Sequence, residues 1–178
     1  MKCEKKMKLL YQYDVYLSEN RTPYLEYVKD VRSDADGVYR TPNAILDLLN
    51  LAFRANELAE ERLWLIGFDA QYHCVGLFEV SHGSANRSVA SSASILKRAL
   101  LIGAISIIVA HNHPSGVVTP SDEDIAFTKQ LHIAARLCDI VLNDHIIIGA
   151  GSNAYYSMLE HDMIDHDKCE EIYQKMCN

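Results

Sequence analysis

His111-Asn112-His113, followed by Ser121 and Asp124, spells H-x-H, seven residues, then S-x-x-D. Two imidazoles one residue apart can face the same way from the end of a strand, because strand side chains repeat with period two. Asp124 adds a hard oxygen ligand from the next element. Three protein ligands with a fourth position left open suit a catalytic zinc ion, whereas a structural zinc is closed by four. The chemistry these residues could do is therefore metal-dependent hydrolysis. A lone histidine at a strand end is usually just packed or solvated. A pair, followed by Pro114 and Gly116 and then by an acid near a helix start, favours metal binding.

Ser121 and Asp124 also have a local reading. They are close to a capping box, with Ser121 at the N-cap and an acid three residues on. Asp122, Glu123 and Asp124 would sit at the positive end of the helix dipole. The two readings are compatible, because a first-turn position holds Asp124 rigidly and its carboxylate can face a cation. Asp122 and Glu123 read as simple dipole complements. A zinc hydrolase also needs a base that takes a proton from water. No H-E-x-x-H segment supplies one, and spacing alone leaves Glu60, Glu61 and Glu79 as alternatives. Asp144-His145 could orient a ligand histidine by accepting its second N–H, or could be polar residues at a strand kink. Their apolar flanks suggest burial, and buried polar groups need partners. His82, next to Gly83, reads as a loop histidine that could line the cleft.

These residues need a scaffold, and 178 residues suffice for one domain with an arm. The chain splits at about Thr41. Residues 1–40 read as an extended N-terminal arm, rich in tyrosine, with one strand over 24–31 and a turn at 33–37. Thr41 then caps a helix with Pro42 at its first position, and the helix is expected to run to about Glu60. Residues 63–68 and 73–80 pair as a hairpin, and 94–101 form a helix. The apolar run 104–110 is a strand buried on both faces that delivers His111 at its end. A further helix starts at Ser121 and runs to about Asp139. A strand over 140–148, interrupted at 143–145, leads through a loop at 149–153 to a last edge strand at Tyr155–Ser157. The tail, 161–178, is helical from about Asp165. Alternating helices and strands mean an α/β fold, a sandwich around one mixed sheet with helices on both faces.

Composition excludes several function classes. A net charge of −7 argues against nonspecific nucleic-acid binding, which needs a Lys/Arg surplus. Five cysteines, an odd number with no C-x-x-C, fit a reducing compartment. Cys74 and Cys138 are expected to act as small buried hydrophobes. No apolar stretch approaches the roughly 20 residues of a membrane span. The basic N-terminus is followed only by Leu9-Leu10 and lacks the apolar centre of a signal peptide, so the cytoplasm is the expected compartment.

Residues 41–156 resemble the RadC-like branch of the JAMM/MPN metalloprotease superfamily. The resemblance runs through Glu61–Asp69, Phe78–Gly83, Lys97–Leu100, His111–Gly116, Pro120–Asp124 and Asp144–Gly149, in that order. It implies a three-layer α/β/α sandwich of the cytidine-deaminase-like kind over residues 41–160. It implies Zn2+ held by His111, His113 and Asp124, with water as fourth ligand. Glu61, eight residues before Asp69, would be the general base, and Ser121 would hydrogen-bond the oxyanion. Asn112 would point away from the metal. The chain departs from many relatives at Ser91–Ser94, where they carry Pro-Arg-Glu, which concerns one pocket wall. The helix-hairpin-helix region that precedes the domain in longer RadC proteins is not expected within these 178 residues.

The leading expectation is a zinc-dependent peptidase or isopeptidase acting on a peptide or protein substrate, with no membrane; the net charge argues against direct nucleic-acid binding without excluding a small local basic patch. The alternative is a non-catalytic module associated with DNA processing that keeps its zinc site. A deaminase-like zinc enzyme is disfavoured by the absence of P-C-x-x-C. The extended arm could also pair with a sheet edge of a second copy and make a homodimer.

Overall fold

The structure, a computed structural model, describes residues 8–33, 39–82 and 91–177. Its strands are β1 (Lys8–Leu17), β2 (Pro23–Ser33), β3 (Arg62–Phe68), β4 (Cys74–His82), β5 (Ser106–His113), β6 (Val141–Gly149) and β7 (Tyr155–Ser157). Its helices are α1 (Pro42–Phe53), α2 (Ser92–Leu101), α3 (Asp122–Leu137) and α4 (His166–Cys177). All seven strands join one sheet in the order β2-β1-β4-β3-β5-β6-β7. The pairs β1/β4 and β5/β6 are parallel and the others antiparallel, so the sheet is mixed.

Each face of the sheet carries its own core. Ile45, Leu48 and Leu49 of α1 pack with Trp64, Ile66, Ala110 and Ile146 on one face. Ile95 of α2 and Leu131 of α3 pack with Leu65, Val109, Leu142 and Ile147 on the other. Burying a single Leu, Ile or Val of this kind contributes about 1.5–3 kcal/mol, so both layers are pinned. This is the expected α/β sandwich. The neighbours β3 and β5 are buried along almost their whole length, and β5 ends on the two histidines.

The elements differ from the sequence reading in ways that have local causes. Helix α1 stops at Phe53 rather than near Glu60. Arg54 turns left-handed at φ 55°, and the Asn50 side chain accepts the Asn56 N–H at 3.0 Å, drawing the chain into a 3-10 turn at Ala55–Glu57 that buries Ala55. Strand β5 extends through His113, so both histidines belong to it. His82 ends β4 rather than lying in a loop, and its ring meets Glu60. Cys74 is buried as expected, but Cys138 is only half-buried at the end of α3.

Strand β6 runs unbroken through 143–145, where an interruption was expected. The sequence irregularity there is a bulge: Ile107 pairs with Leu142 and Ile108 with Asp144, so Asn143 is the extra residue. The N-terminal arm is two strands, not one, and lies on the chain's own sheet beside β4. In β2 a bulge at Val28 breaks the expected alternation, so Leu25 and Val31 face opposite layers. Lys29 then reaches the open carbonyl of Ala52 at the end of α1, 2.9 Å away. Apart from Ser33, the turn expected at 33–37 lies outside the described residues. Among the described residues no helix is long and apolar enough to cross a membrane.

Candidate metal centre

His111 and His113 lie on the strand β5, one residue apart, and therefore project to one face. Asp124 comes to that face from the first turn of α3. Ser121 caps this helix: its Oγ accepts the Asp124 N–H at 3.2 Å, and the Asp124 carboxylate accepts the Ser121 N–H at 2.8 Å. The capping box read from the sequence is therefore present and fixes the carboxylate. The Ser121 hydroxyl donates to Asp124 Oδ2 at 2.6 Å. The ligand atoms of His111, His113 and Asp124 lie within 4.8 Å of one another.

Hydrogen bonding assigns the tautomers of both histidines. Thr128 Oγ1 donates its one proton to the Asp124 carbonyl, 2.7 Å away. His145 Nδ1, 2.6 Å from the same Oγ1, must then be the donor, which leaves His145 Nε2 as an acceptor. His111 Nδ1 sits 2.8 Å from that Nε2 and donates to it. His113 Nδ1 donates to the Val117 carbonyl at 2.7 Å. In their neutral form both ligand histidines are thus protonated at Nδ1 and carry a lone pair at Nε2.

Those two lone pairs face each other at 2.9 Å. With both rings neutral no proton lies between them, and the contact is repulsive unless an added proton or a metal cation occupies the junction. Asp124 Oδ1 is 3.5 Å from His111 Nε2, and Oδ2 is 3.6 Å from His113 Nε2. Ligands 2.0–2.1 Å from a tetrahedral zinc stand about 3.3 Å apart. The two carboxylate distances go to different oxygens; with one ligand atom from each residue the three lie within 4.8 Å of one another, a cluster that could hold a metal ion.

Burial and charge act together at this centre. Burial works to raise the Asp124 carboxyl, but His111, the Ser121 hydroxyl and N–H, and His113 outweigh it and hold it below the usual carboxylate range. His145 is deeply buried, and burial pushes its imidazole down to about 4, so it stays neutral and keeps its acceptor nitrogen at ordinary pH.

Asp144 does not reach a ligand. Its carboxylate accepts from Ser157 Oγ at 2.6 Å and from the Leu159 N–H at 3.0 Å, tying β6 to the end of β7 on the opposite face. Burial raises its pKa against those bonds. Of the expected Asp144–His145 pair, only His145 therefore serves the centre. Thr128 and the Val117 carbonyl were not foreseen. A threonine inside a helix and a loop carbonyl carry no distinguishing sequence signal.

The three glutamates separate by their surroundings. One Arg62 guanidinium nitrogen lies 2.9 and 3.0 Å from the two Glu79 oxygens. Glu60 is exposed and meets His82. Glu61 is half-buried just before β3, two residues before Leu63, whose rung partner is His111. Glu61 precedes β3; continuing the alternation of that strand back by one residue would put it on the face that bears His111. Asp122 and Glu123 are exposed in the first turn of α3, as dipole complements should be.

The loop after β5 depends on a close backbone approach. Gly116 has φ +78°, a left-handed conformation suited to glycine. A Cβ on Gly149 would stand 2.8 Å from the Gly116 carbonyl. Two glycines thus let the Val117 carbonyl settle on His113 Nδ1.

The sequence model of the RadC-like JAB domain matches residues 39–163. A UPF0758 protein of Cyanothece sp. is 39% identical over 94 residues, which are 53% of this chain and 39% of that protein. One from Pseudoalteromonas translucida is 35% identical over 118 residues, 66% of this chain and 52% of its own. One from Chloroflexus aggregans is 38% identical over 121 residues, 68% of this chain and 51% of its own. The chain spans about half the length, or less, of these curated relatives. The matched interval contains the H-x-H strand, the capped helix that brings Asp124, and the strand that carries His145. Carrying the whole donor set within that match, the chain belongs to the RadC-like JAB domain family.

Proposed function

We propose that this protein is a zinc-dependent hydrolase that cleaves a peptide or isopeptide bond with an activated water. The observation that carries the reading is the convergence of two unprotonated Nε2 atoms, 2.9 Å apart, on the Asp124 carboxylate. Zinc held by His111, His113 and Asp124 would make a water acidic near neutral pH and polarise the scissile carbonyl.

In this proposal Glu61 takes the proton of the attacking water and returns it to the departing amine. Ser121 Oγ–H donates to the oxyanion. To do so it turns from Asp124 Oδ2, which keeps the Ser121 N–H as a donor at 2.8 Å. His145 holds the His111 ring in place throughout. A protein substrate in the cytoplasm is the proposed setting. A homodimer through the arm is also proposed, because β2 is an outer edge with Tyr24, Tyr27 and Val28 exposed. A monomeric solution mass would remove it.

The test is metal content by mass spectrometry on wild type, His113→Ala and Glu61→Gln, followed by a peptide and isopeptide screen. About one zinc per chain is expected in wild type and Glu61→Gln and none in His113→Ala. Cleavage by wild type but not by Glu61→Gln would support the reading. Failure to bind zinc after reconstitution would sink it. Zinc binding without any cleavage would favour a non-catalytic module.

A further inference from the structure

Asn112 lies between the two ligand histidines, on the opposite face of β5, with none of its surface exposed. Its side chain is not merely buried. Oδ1 accepts the Arg62 N–H at 2.8 Å, while Nδ2 donates to the Glu60 carbonyl at 3.1 Å and stands 3.5 Å from the Leu58 carbonyl. The first two bonds bracket Glu61. The Glu60 carbonyl belongs to the peptide plane before the Glu61 Cα, and the Arg62 N–H to the plane after it. The only soft backbone torsions between those planes are φ and ψ of Glu61. One amide therefore fixes both planes, and with them the direction of the Glu61 Cα–Cβ bond.

The position of this clamp is also informative. Backbone pairing between β3 and β5 runs from Phe68↔Ser106 to Leu63↔His111 and ends there. Asn112 extends the connection past the last rung, so the residue two steps beyond Leu63 is still registered to the ligand strand. An asparagine can do this because it offers an acceptor and a donor side by side. A carboxylate would lose the donor, and an aliphatic side chain would leave buried backbone groups unsatisfied.

We propose that Asn112 is a positioning residue for Glu61: it ties the general base to the same strand that carries both metal ligands, so the distance from base to metal is set by one rigid element. This rests on the base role proposed for Glu61. Asn112 touches neither substrate nor metal.

The test uses the full chain loaded with Co2+ in place of zinc, with the visible ligand-field spectrum read at one fixed pH. The proteins are wild type, Glu61→Gln, Asn112→Ala and the double variant, with Asn112→Ser in reserve because it keeps a polar group in the buried position. Glu61→Gln should shift the band, since the base hydrogen-bonds the open coordination position. Asn112→Ala should keep full cobalt stoichiometry and reproduce more than half of that shift. The double variant should match Glu61→Gln alone, because two changes acting through one contact are not additive. A wild-type spectrum in both Asn112 variants, beside a shifted Glu61→Gln, would overturn the inference and leave the base role standing. Additive shifts would also overturn it, since they would mean that Asn112 acts directly on the histidines. A Glu61→Gln spectrum identical to wild type would overturn the base role itself and the positioning role with it.

Discussion

His111 Nδ1 donates to His145 Nε2 across 2.8 Å, and that bond decides which nitrogen of His111 faces Asp124. Because Thr128 holds the far side of the His145 ring, the imidazole cannot reverse its roles without giving up a buried bond. Removing the acceptor should free the His111 ring to rotate. His145→Leu is expected to weaken metal binding by roughly 10–100-fold, the usual effect of losing an outer partner of a ligand histidine. Competition with a chromophoric chelator measures it, and an unchanged affinity would contradict the assignment.

Ser121 has two roles that one substitution can separate. Ser121→Ala deletes the hydroxyl of the N-cap and should cost about 1 kcal/mol of stability in urea unfolding. Zinc should stay bound, because the Ser121 N–H still holds Asp124 Oδ2. If the hydroxyl also stabilises the oxyanion, turnover of any peptide substrate should fall by roughly 10²–10³-fold. Equal turnover with reduced stability would leave the cap as its only role.

Gly149 lies 36 residues after His113 in sequence, yet it should matter to that ligand. A methyl group there would meet the Gly116 carbonyl at 2.8 Å and displace the loop that carries the Val117 carbonyl. Gly149→Ala should therefore lower metal affinity, while Gly151→Ala, which meets nothing within 4 Å, should affect only its own left-handed backbone. Chelator competition on both variants checks the contrast. Equal affinities would argue that the loop adapts.

The acid side of the stability curve should carry a signature of the α3–α4 contact. Burial, and then the neighbouring His166, push His132 below the ordinary histidine value, against a smaller opposing pull from Asp165. The unfolded chain then binds the proton more readily than the folded one. This contribution is fully present above about pH 6.5 and is lost as pH falls from there through the lower folded value. His132→Gln, which keeps a polar side chain where His132 Nε2 meets His166 Nδ1 at 3.1 Å, should flatten the decline in Tm below about pH 6.5. Parallel curves for the two proteins would refute it.

Much of this was legible in the sequence. H-x-H followed by S-x-x-D named the ligand set and its capped helix, because strand alternation and helix capping are local rules. The buried run before His111 announced β5. The rest depended on partners distant in sequence. No local pattern ranks Glu61 above Glu60 and Glu79, since what separates them is Arg62, His82 and the Asn112 amide. Thr128 looks like any helix threonine until Asp124 and His145 are placed around it. Strand β1 escaped notice because Leu10 faces α1 while Tyr13 and Val15 face the other layer, which dilutes the apolar alternation. In β2 the bulge at Val28 broke the pattern outright.

The extra residue Asn143 has a consequence for the metal centre. Upstream of it Leu142 faces the α3 side, and downstream His145 and Ile147 do. If Asn143 took a rung opposite Ile108 instead of bulging out, β6 would shift by one position against β5 from there on and each later side chain would turn over. A carboxylate would then stand where the neutral imidazole now meets His111, and that ligand would face an anion instead of a tautomer-fixing ring. The identity of the group behind His111 is thus set by counting: a one-residue change in strand phase, with every side chain's chemistry left intact, would rewrite the electrostatics of the site.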